Sequence, residues 1–126
     1  MAISRKPKLY AIAFEHHSLT LQLMKKTDQA WLHVLRKTHA DLIRPLGQRS
    51  GHKWDKHQYL DKRDWLLKWN GFPVLKHCVA LLELQKLNAQ TFGDHDLFVF
   101  EVKSWKSISD KELLTFKFLQ ERGLIL

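Results

Sequence analysis

The sequence has a single cysteine, Cys78, among its 126 residues. One cysteine cannot form an internal disulfide, so we expect a protein of a reducing compartment, with the cytoplasm as the default. No apolar run approaches the roughly 20 residues that a membrane-spanning helix needs. The first eight residues are not followed by a long apolar stretch, so we expect no signal peptide and no membrane partner.

The signature motifs of several enzyme classes are also missing. The chain has no G-x-S-x-G nucleophile elbow, no Walker loop and no G-x-G-x-x-G segment, and these motifs mark acyl transfer or phosphate binding in other folds. Eight histidines are present, but none has the spacing of a zinc motif. We therefore expect no metal site and no nucleophilic role for Cys78.

The chain is basic. Lys and Arg total 21 against 13 Asp and Glu, which gives a formal net charge of +8. Such a surface attracts nucleic acids, acidic membranes or phosphorylated small molecules. Because the basic residues are spread along the whole chain, charge alone does not choose among these partners.

The pattern of apolar residues predicts one mainly β (α+β) domain over residues 1–126. Two alternating strands, residues 78–91 and 97–105, flank a turn at Gly93–Asp96, and this arrangement is a strong antiparallel hairpin signal. Further strands are expected at Leu9–Phe14 and Ala30–Leu35, with a short helix between them that Ser18 caps.

Four segments are less clearly patterned. Thr38 is expected to cap a second short helix that ends near Gly47. Residues 59–69 could be helical or irregular, and residues 70–73 read as a turn. The tail from Asp110 is ambiguous: Leu113–Phe118 could be a last strand, followed by a short helical turn that ends at Gly123.

The loop from Arg49 to Lys56 is a candidate anion site. Ser50 and Gly51 would let backbone N–H groups approach an anion closely, and Lys53 and Lys56 supply positive charge. The Trp54 ring could lie against a planar ligand. A flexible basic surface loop explains the same residues equally well.

Two other places offer candidate side chains. His95 is predicted at a hairpin tip, where it could meet a ligand, although an exposed turn histidine is the ordinary alternative. Ser18 and Thr20 begin a helix directly after a strand, and a helix start can hold a phosphate. Capping alone also accounts for Ser18.

Taken in order, these segments resemble the flavin reductase-like family, and the resemblance covers nearly the whole chain. The segments that carry it are Ile3–Phe14, Ser18–Leu23, Ala30–Leu35, His39–Ile43, Gly47–Gly51 with Asp55–Lys56, Gly71–Leu75, Ala80–Leu84 and Gly93–Val102. The last of these is similar to the family pattern G-D-H-x-L-F-x-G-E-V. The resemblance implies an antiparallel FMN-binding split β-barrel with short flanking helices.

The resemblance also implies a function and a set of site residues. Family members bind FMN at the interface of a homodimer, and many reduce flavin with NADH or NADPH. By position, Ser4 would border the flavin ring, and Ser18 or Thr20 would lie near the cofactor. Ser50, Gly51 and Lys56 would belong to the flavin-binding loop. His95, the candidate catalytic residue, would sit near the flavin face, where nicotinamide or another acceptor approaches.

The sequence also departs from the family pattern. Members usually begin with two further strands that hold the FMN phosphate, so this domain is expected to be N-terminally short. Two alternatives to a flavoprotein follow. One is a shortened, non-catalytic member that acts as a dimeric interaction module. The other, less favoured, is a basic nucleic-acid-binding barrel that uses Trp54, Trp65 and Trp69.

Overall fold

The computed structural model describes residues 1–47, 52, 55–107 and 113–124. Its strands are β1 (Ala2–Arg5), β2 (Lys8–Glu15), β3 (Gln29–Val34), β4 (Leu66–Trp69), β5 (Phe72–Leu75), β6 (Ala80–Phe92) and β7 (His95–Ser107). Its helices are α1 (Leu19–Lys26), a 3₁₀ helix (Lys37–Leu42) continued by α2 (Ile43–Gly47), α3 (Lys56–Lys62) and α4 (Phe116–Glu121). Ser50, Gly51, Lys53 and Trp54 lie outside the described residues.

Five strands form one sheet in the order β1-β2-β7-β6-β3. β2 and β7 are antiparallel, with Leu9 opposite Glu101 at one end and Glu15 opposite His95 at the other. β6 and β7 each have 13 residues and are joined by the short turn at Gly93 and Asp94. The predicted hairpin and the mainly antiparallel fold class are confirmed.

The chain divides into two compact units. The first contains Met1–Leu32 and Leu82–Trp105, and the second contains His33–Leu81 and Lys106–Leu126. The single domain over residues 1–126 stays a prediction. None of the described helices combines the length and the apolar character of a membrane span.

The core of the first unit follows from the alternation along β7. Phe98 and Phe100 are each 1% exposed, and they pack with Leu21 of α1 and Leu84 of β6. The Phe14 and Phe98 rings meet edge to face at 5.5 Å between centroids. Ser18 caps α1 as predicted, since its hydroxyl accepts a hydrogen bond from the Leu21 N–H. This core therefore fixes α1 against the face of the sheet.

A buried histidine organises the second unit. His39 is fully buried; its Nδ1 accepts from the Arg36 N–H at 2.9 Å, and its Nε2 donates to the Lys76 carbonyl at 2.7 Å. The Trp65 ring lies 5.5 Å from the His39 ring. Burial lowers the pKa of His39 below its usual value, so the ring is neutral. It ties the 3₁₀ helix to the segment after β5.

The predicted N-cap at Thr38 is wrong, because the N-cap lies two residues earlier, at Arg36. The helix begins at Lys37 with Arg36 as N-cap, and the cap is completed by the His39 ring rather than by a hydroxyl. Residues 59–69, which the sequence left open, contain the end of α3 and the whole of β4.

The ambiguous tail does not form the strand considered for Leu113–Phe118. Leu113 makes only an isolated bridge to Arg36, and α4 begins at Phe116. The reason is local, because the Thr115 hydroxyl accepts from the Phe118 N–H at 3.1 Å and so caps a helix.

Candidate functional site

The end of β2 and the turn of the β6–β7 hairpin meet in the first unit. The His16 N–H donates to the Asp94 carbonyl at 3.0 Å, directly beyond the last paired residues of β2 and β7. Gly93 has φ +61°, a conformation that glycine adopts without the usual cost and that this tight turn uses. We call the residues gathered here, His16, Asp94, His95 and Asp96, the tip cluster.

Asp96 is the anchor of the tip cluster. It is 7% exposed, and its Oδ1 accepts from His16 Nε2 at 2.9 Å and from the Thr91 hydroxyl at 2.7 Å. Hydrogen bonds from Thr91 and His16 lower the pKa of Asp96, so its carboxylate is charged at neutral pH. A buried, charged carboxylate therefore fixes the orientation of the His16 ring.

His95 is the exposed member of the tip cluster. Its Nδ1 lies 2.6 Å from Asp94 Oδ1, and its side chain is 47% exposed. The hydrogen bond from His95 lowers the pKa of Asp94. Since Nδ1 is engaged, Nε2 is the ring nitrogen that a ligand would meet. The structure thus places His95, the candidate catalytic residue, on the surface, and the Asp94 carboxylate holds its ring.

The start of α1 lies beside the tip cluster, but its two candidate hydroxyls differ. The Ser18 hydroxyl donates to the Glu15 carbonyl at 2.9 Å and accepts from the Leu21 N–H at 3.1 Å. Its only proton is therefore committed within the protein. Thr20 is exposed in the first turn of α1. Of the two hydroxyls, that of Thr20 is the more accessible to a ligand.

Ser4 lies at the other end of the sheet from the tip cluster. It pairs with Leu9, and Leu9 is six residues along β2 from Glu15. At about 3.3 Å per residue the two ends of the strand are roughly 20 Å apart. Within the first unit the structure therefore does not bring Ser4 together with His95 and Thr20.

The remaining candidate residues belong to the second unit. Lys56 is the half-buried first residue of α3, and Asp55 caps that helix by accepting from the Gln58 N–H at 3.0 Å. Ser50 and Gly51 lie outside the described residues, so Lys56 is the member of the predicted flavin loop whose position can be given.

Sequence reasoning missed His16, Thr91 and the inward direction of Asp96. One signal was available, because Asp96 shares the alternating face of Phe98 and Phe100 and so had to point into the first unit. The partner of that carboxylate, His16, lies 80 residues away in the chain. In the described part of the chain, no three His, Cys, Asp or Glu side chains come together as a metal site.

Comparison with known proteins gives consistent results. A family model described as the flavin reductase like domain matches residues 1–122. A search of curated proteins found no match. Among solved structures, the Thermus thermophilus FMN-binding protein with bound 1-cyclohex-2-enone is 30% identical with a TM-score of 0.75, covering 93% of this chain and 62% of that one.

Two further structures show the same likeness. The Thermus thermophilus protein with bound p-hydroxybenzaldehyde is 29% identical with a TM-score of 0.76, covering 87% of this chain and 61% of that one. Flavin reductase PheA2 is 22% identical with a TM-score of 0.69, covering 86% of this chain and 65% of that one. The predicted split-barrel fold is therefore confirmed. The chain spans about three fifths of the length of these structures.

Proposed function

Because the chain belongs to the flavin reductase-like domain family, we propose that it is an FMN-binding flavoprotein. Its activity is that of an NAD(P)H-dependent, flavin reductase-like oxidoreductase or flavin electron carrier. The single observation that carries this proposal is the family match over residues 1–122. The 30% identity to an FMN-binding protein supports FMN as the flavin.

The described side chains fit a flavin nucleotide in their chemistry. The flavin ring carbonyls, the ring nitrogens N1 and N5 and the phosphate accept hydrogen bonds, so a flavin site needs donors and positive charge. Thr20, His95 and Lys56 supply a hydroxyl, an imidazole and an ammonium group. The acidic neighbours of these donors are engaged, since Asp94 pairs with His95 and Asp55 caps α3.

Each of these side chains has a defined task in the proposal. A bound flavin supplies the two-electron chemistry that amino-acid side chains lack. Asp94 holds the His95 ring at Nδ1, which would leave Nε2 available to an incoming nicotinamide. Lys56 offers a cation to the flavin phosphate or ring edge, and Thr20 offers a hydroxyl. Ser4, Ser18, Ser50 and Gly51 complete the proposed set by their positions in the family pattern.

The proposal extends to partners and setting. NADH or NADPH is the electron donor, and a homodimer is the functional form, as the family pattern implies. The single, buried cysteine supports a cytoplasmic setting. Nucleic acid is the less favoured partner, because Trp65 packs against the buried His39 and Trp69 is half-buried instead of forming an exposed stacking surface.

The test is the visible absorption spectrum of the purified protein before and after FMN addition and gel filtration. We expect the two flavin bands to stay with the protein, and NADH or NADPH to bleach them. A Lys56→Ala variant should bind FMN about tenfold more weakly and therefore retain less of it, because a charge-assisted contact is removed.

Lys62→Ala is the matched control, because Lys62 is an exposed lysine at the other end of the same helix. It should retain FMN as the wild type does. A protein that releases all FMN on gel filtration while remaining folded and dimeric would contradict the proposal and support the non-catalytic interaction module instead. If both variants lost FMN affinity equally, Lys56 would have no specific role in binding the flavin.

A further inference from the structure

The second unit contains a cavity that shares no residue with the proposed flavin site. Its volume is about 240 Å³, and its floor is formed by the buried side chains of His39 and Leu42. The rest of its lining, within the described part of the chain, is the exposed Gly47 and four half-buried aliphatic side chains: Leu35, Ile43, Leu46 and Leu75. Water gains few hydrogen bonds in such surroundings, so an apolar occupant is favoured over solvent.

Among the described residues that line the cavity, His39 has the one polar side chain, and its ring has no hydrogen bond left to offer. His39 Nδ1 accepts from the Arg36 N–H, and His39 Nε2 donates to the Lys76 carbonyl. Both ring nitrogens are therefore occupied by backbone partners. A ligand with a charge or a strong donor would lose its hydration without a replacement partner, and this penalty selects against it.

We propose that this cavity is a binding site for an uncharged aromatic or alicyclic molecule of about ten non-hydrogen atoms. The size follows from the volume, because an apolar cavity of about 150 Å³ suffices for benzene. The additional space in a cavity of about 240 Å³ corresponds to a second fused ring. Selectivity comes from shape and from the exclusion of polar groups.

The elements around the cavity oppose its collapse, so the space remains available to a ligand. Leu35 follows β3, and Leu75 ends β5, which is paired with β4. The two His39 hydrogen bonds hold the 3₁₀ helix in place, so movement of this helix into the cavity would break both of them. The site is thus held open by backbone hydrogen bonds on one side and by a paired strand on another.

Methyl NMR with naphthalene as the probe tests the proposal. In the wild-type protein, naphthalene should shift the methyl resonances of Leu42, Ile43 and Leu75, with a Kd on the order of 0.1–1 mM for a ligand of this size. The anionic analogue 2-naphthoate should leave the same methyl groups unchanged at equal concentration. The measurement needs no flavin, so its outcome is separate from that of the FMN experiment.

A blocked variant and a matched control complete the design. Leu46→Phe puts a larger ring into the cavity and should weaken binding at least tenfold. Leu67→Phe makes the same change at an exposed position of β4 outside the cavity and should bind naphthalene as the wild type does. If Leu46→Phe fails to fold, Leu35→Phe serves the same purpose.

Three results would overturn the proposal. The first is the absence of methyl shifts in the wild type. The second is unchanged binding in a folded blocked variant. The third is equal binding of 2-naphthoate, which would show that the cavity does not exclude charge.

Discussion

Cys78 is completely buried, and burial raises the pKa of its thiol to about 11. At pH 8 only about one thiol in a thousand is then ionised, and the thiolate is the reactive form. We expect Ellman's reagent to leave the native protein unlabelled at pH 8 over an hour and to label one thiol per chain in denaturant. Rapid labelling of the native protein would show that the segment around Cys78 opens readily.

Asp96 should make stability depend on pH in a defined direction. Its folded pKa lies below the ordinary value of 3.8, so its contribution is fully present above that value and is lost as pH falls through the folded pKa. Asp96→Asn should therefore lower the free energy of unfolding at pH 6. The difference in free energy of unfolding between this variant and the wild type should be smaller at pH 2.5. Urea titration at the two pH values measures it.

Asp94→Asn is the matched control for this experiment. Hydrogen bonding to His95 also lowers the pKa of Asp94, but the Asp94 side chain is 86% exposed. Solvent screens an exposed pair, so its removal should change stability much less than removal of Asp96. Equal effects of the two substitutions would show that burial of Asp96 adds nothing to its interactions.

At the scale of single elements, the β4–β5 hairpin depends on its two-residue turn. Asn70 and Gly71 have φ of +50° and +81°, and a turn of this kind needs positive φ at both positions. Gly71→Ala should cost about 1 kcal/mol because alanine disfavours that conformation. No atom lies within 4 Å of the added methyl position, so a steric clash does not contribute.

Gly47→Ala is the opposite case and serves as the control. Gly47 lies in α2, and its added methyl group also meets nothing within 4 Å. We expect this substitution to be neutral or to stabilise by about 0.4–1 kcal/mol, because alanine restricts the unfolded chain. Urea unfolding of the two variants checks the pair. Equal destabilisation would show that the turn conformation is not the cause.

The elements that could be predicted are those with local signals. Ser18, a typical N-cap residue, predicts the start of α1, and the strict alternation of apolar and polar residues predicts β6 and β7. The sequence pattern predicts only a turn where the β4–β5 hairpin lies, because the two strands have four residues each and Pro73 weakens the strand pattern. The cap of the 3₁₀ helix depends on His39, which is fixed by a carbonyl 37 residues away. No local pattern contains that contact.

The candidate site shows the same limit. His95, Thr20 and Lys56 could be named from the family pattern, and the structure puts the first two at the same end of the first unit. His16 could not be named, because its role depends on Asp96 at the far end of the sequence. Hydrogen bonds between distant residues therefore carry the information that the sequence pattern lacks.

On the scale of the whole molecule, the positive charge is unevenly distributed between the two units. The first unit has seven Lys and Arg against six Asp and Glu, whereas the second has fourteen against seven. Almost all of the net charge of +8 therefore belongs to the second unit, which also contains Lys56. An anionic ligand is attracted mainly to that unit.

This charge distribution predicts how flavin binding depends on salt. FMN carries a phosphate and riboflavin does not, so the two ligands separate electrostatic attraction from ring recognition. Raising NaCl from about 20 mM to about 500 mM shortens the screening length from roughly 20 Å to a few ångströms. We expect the FMN Kd to rise several-fold over this range and the riboflavin Kd to stay nearly constant.

Fluorescence quenching of each flavin on binding measures both constants. Lys56→Ala should reduce the salt dependence for FMN and leave riboflavin affinity unchanged, since only the phosphate gains from the cation. If the FMN Kd does not respond to salt, the phosphate does not lie near the basic surface of the second unit. Recognition would then rest on the flavin ring, and Lys56 would have to act on the ring edge instead of on the phosphate.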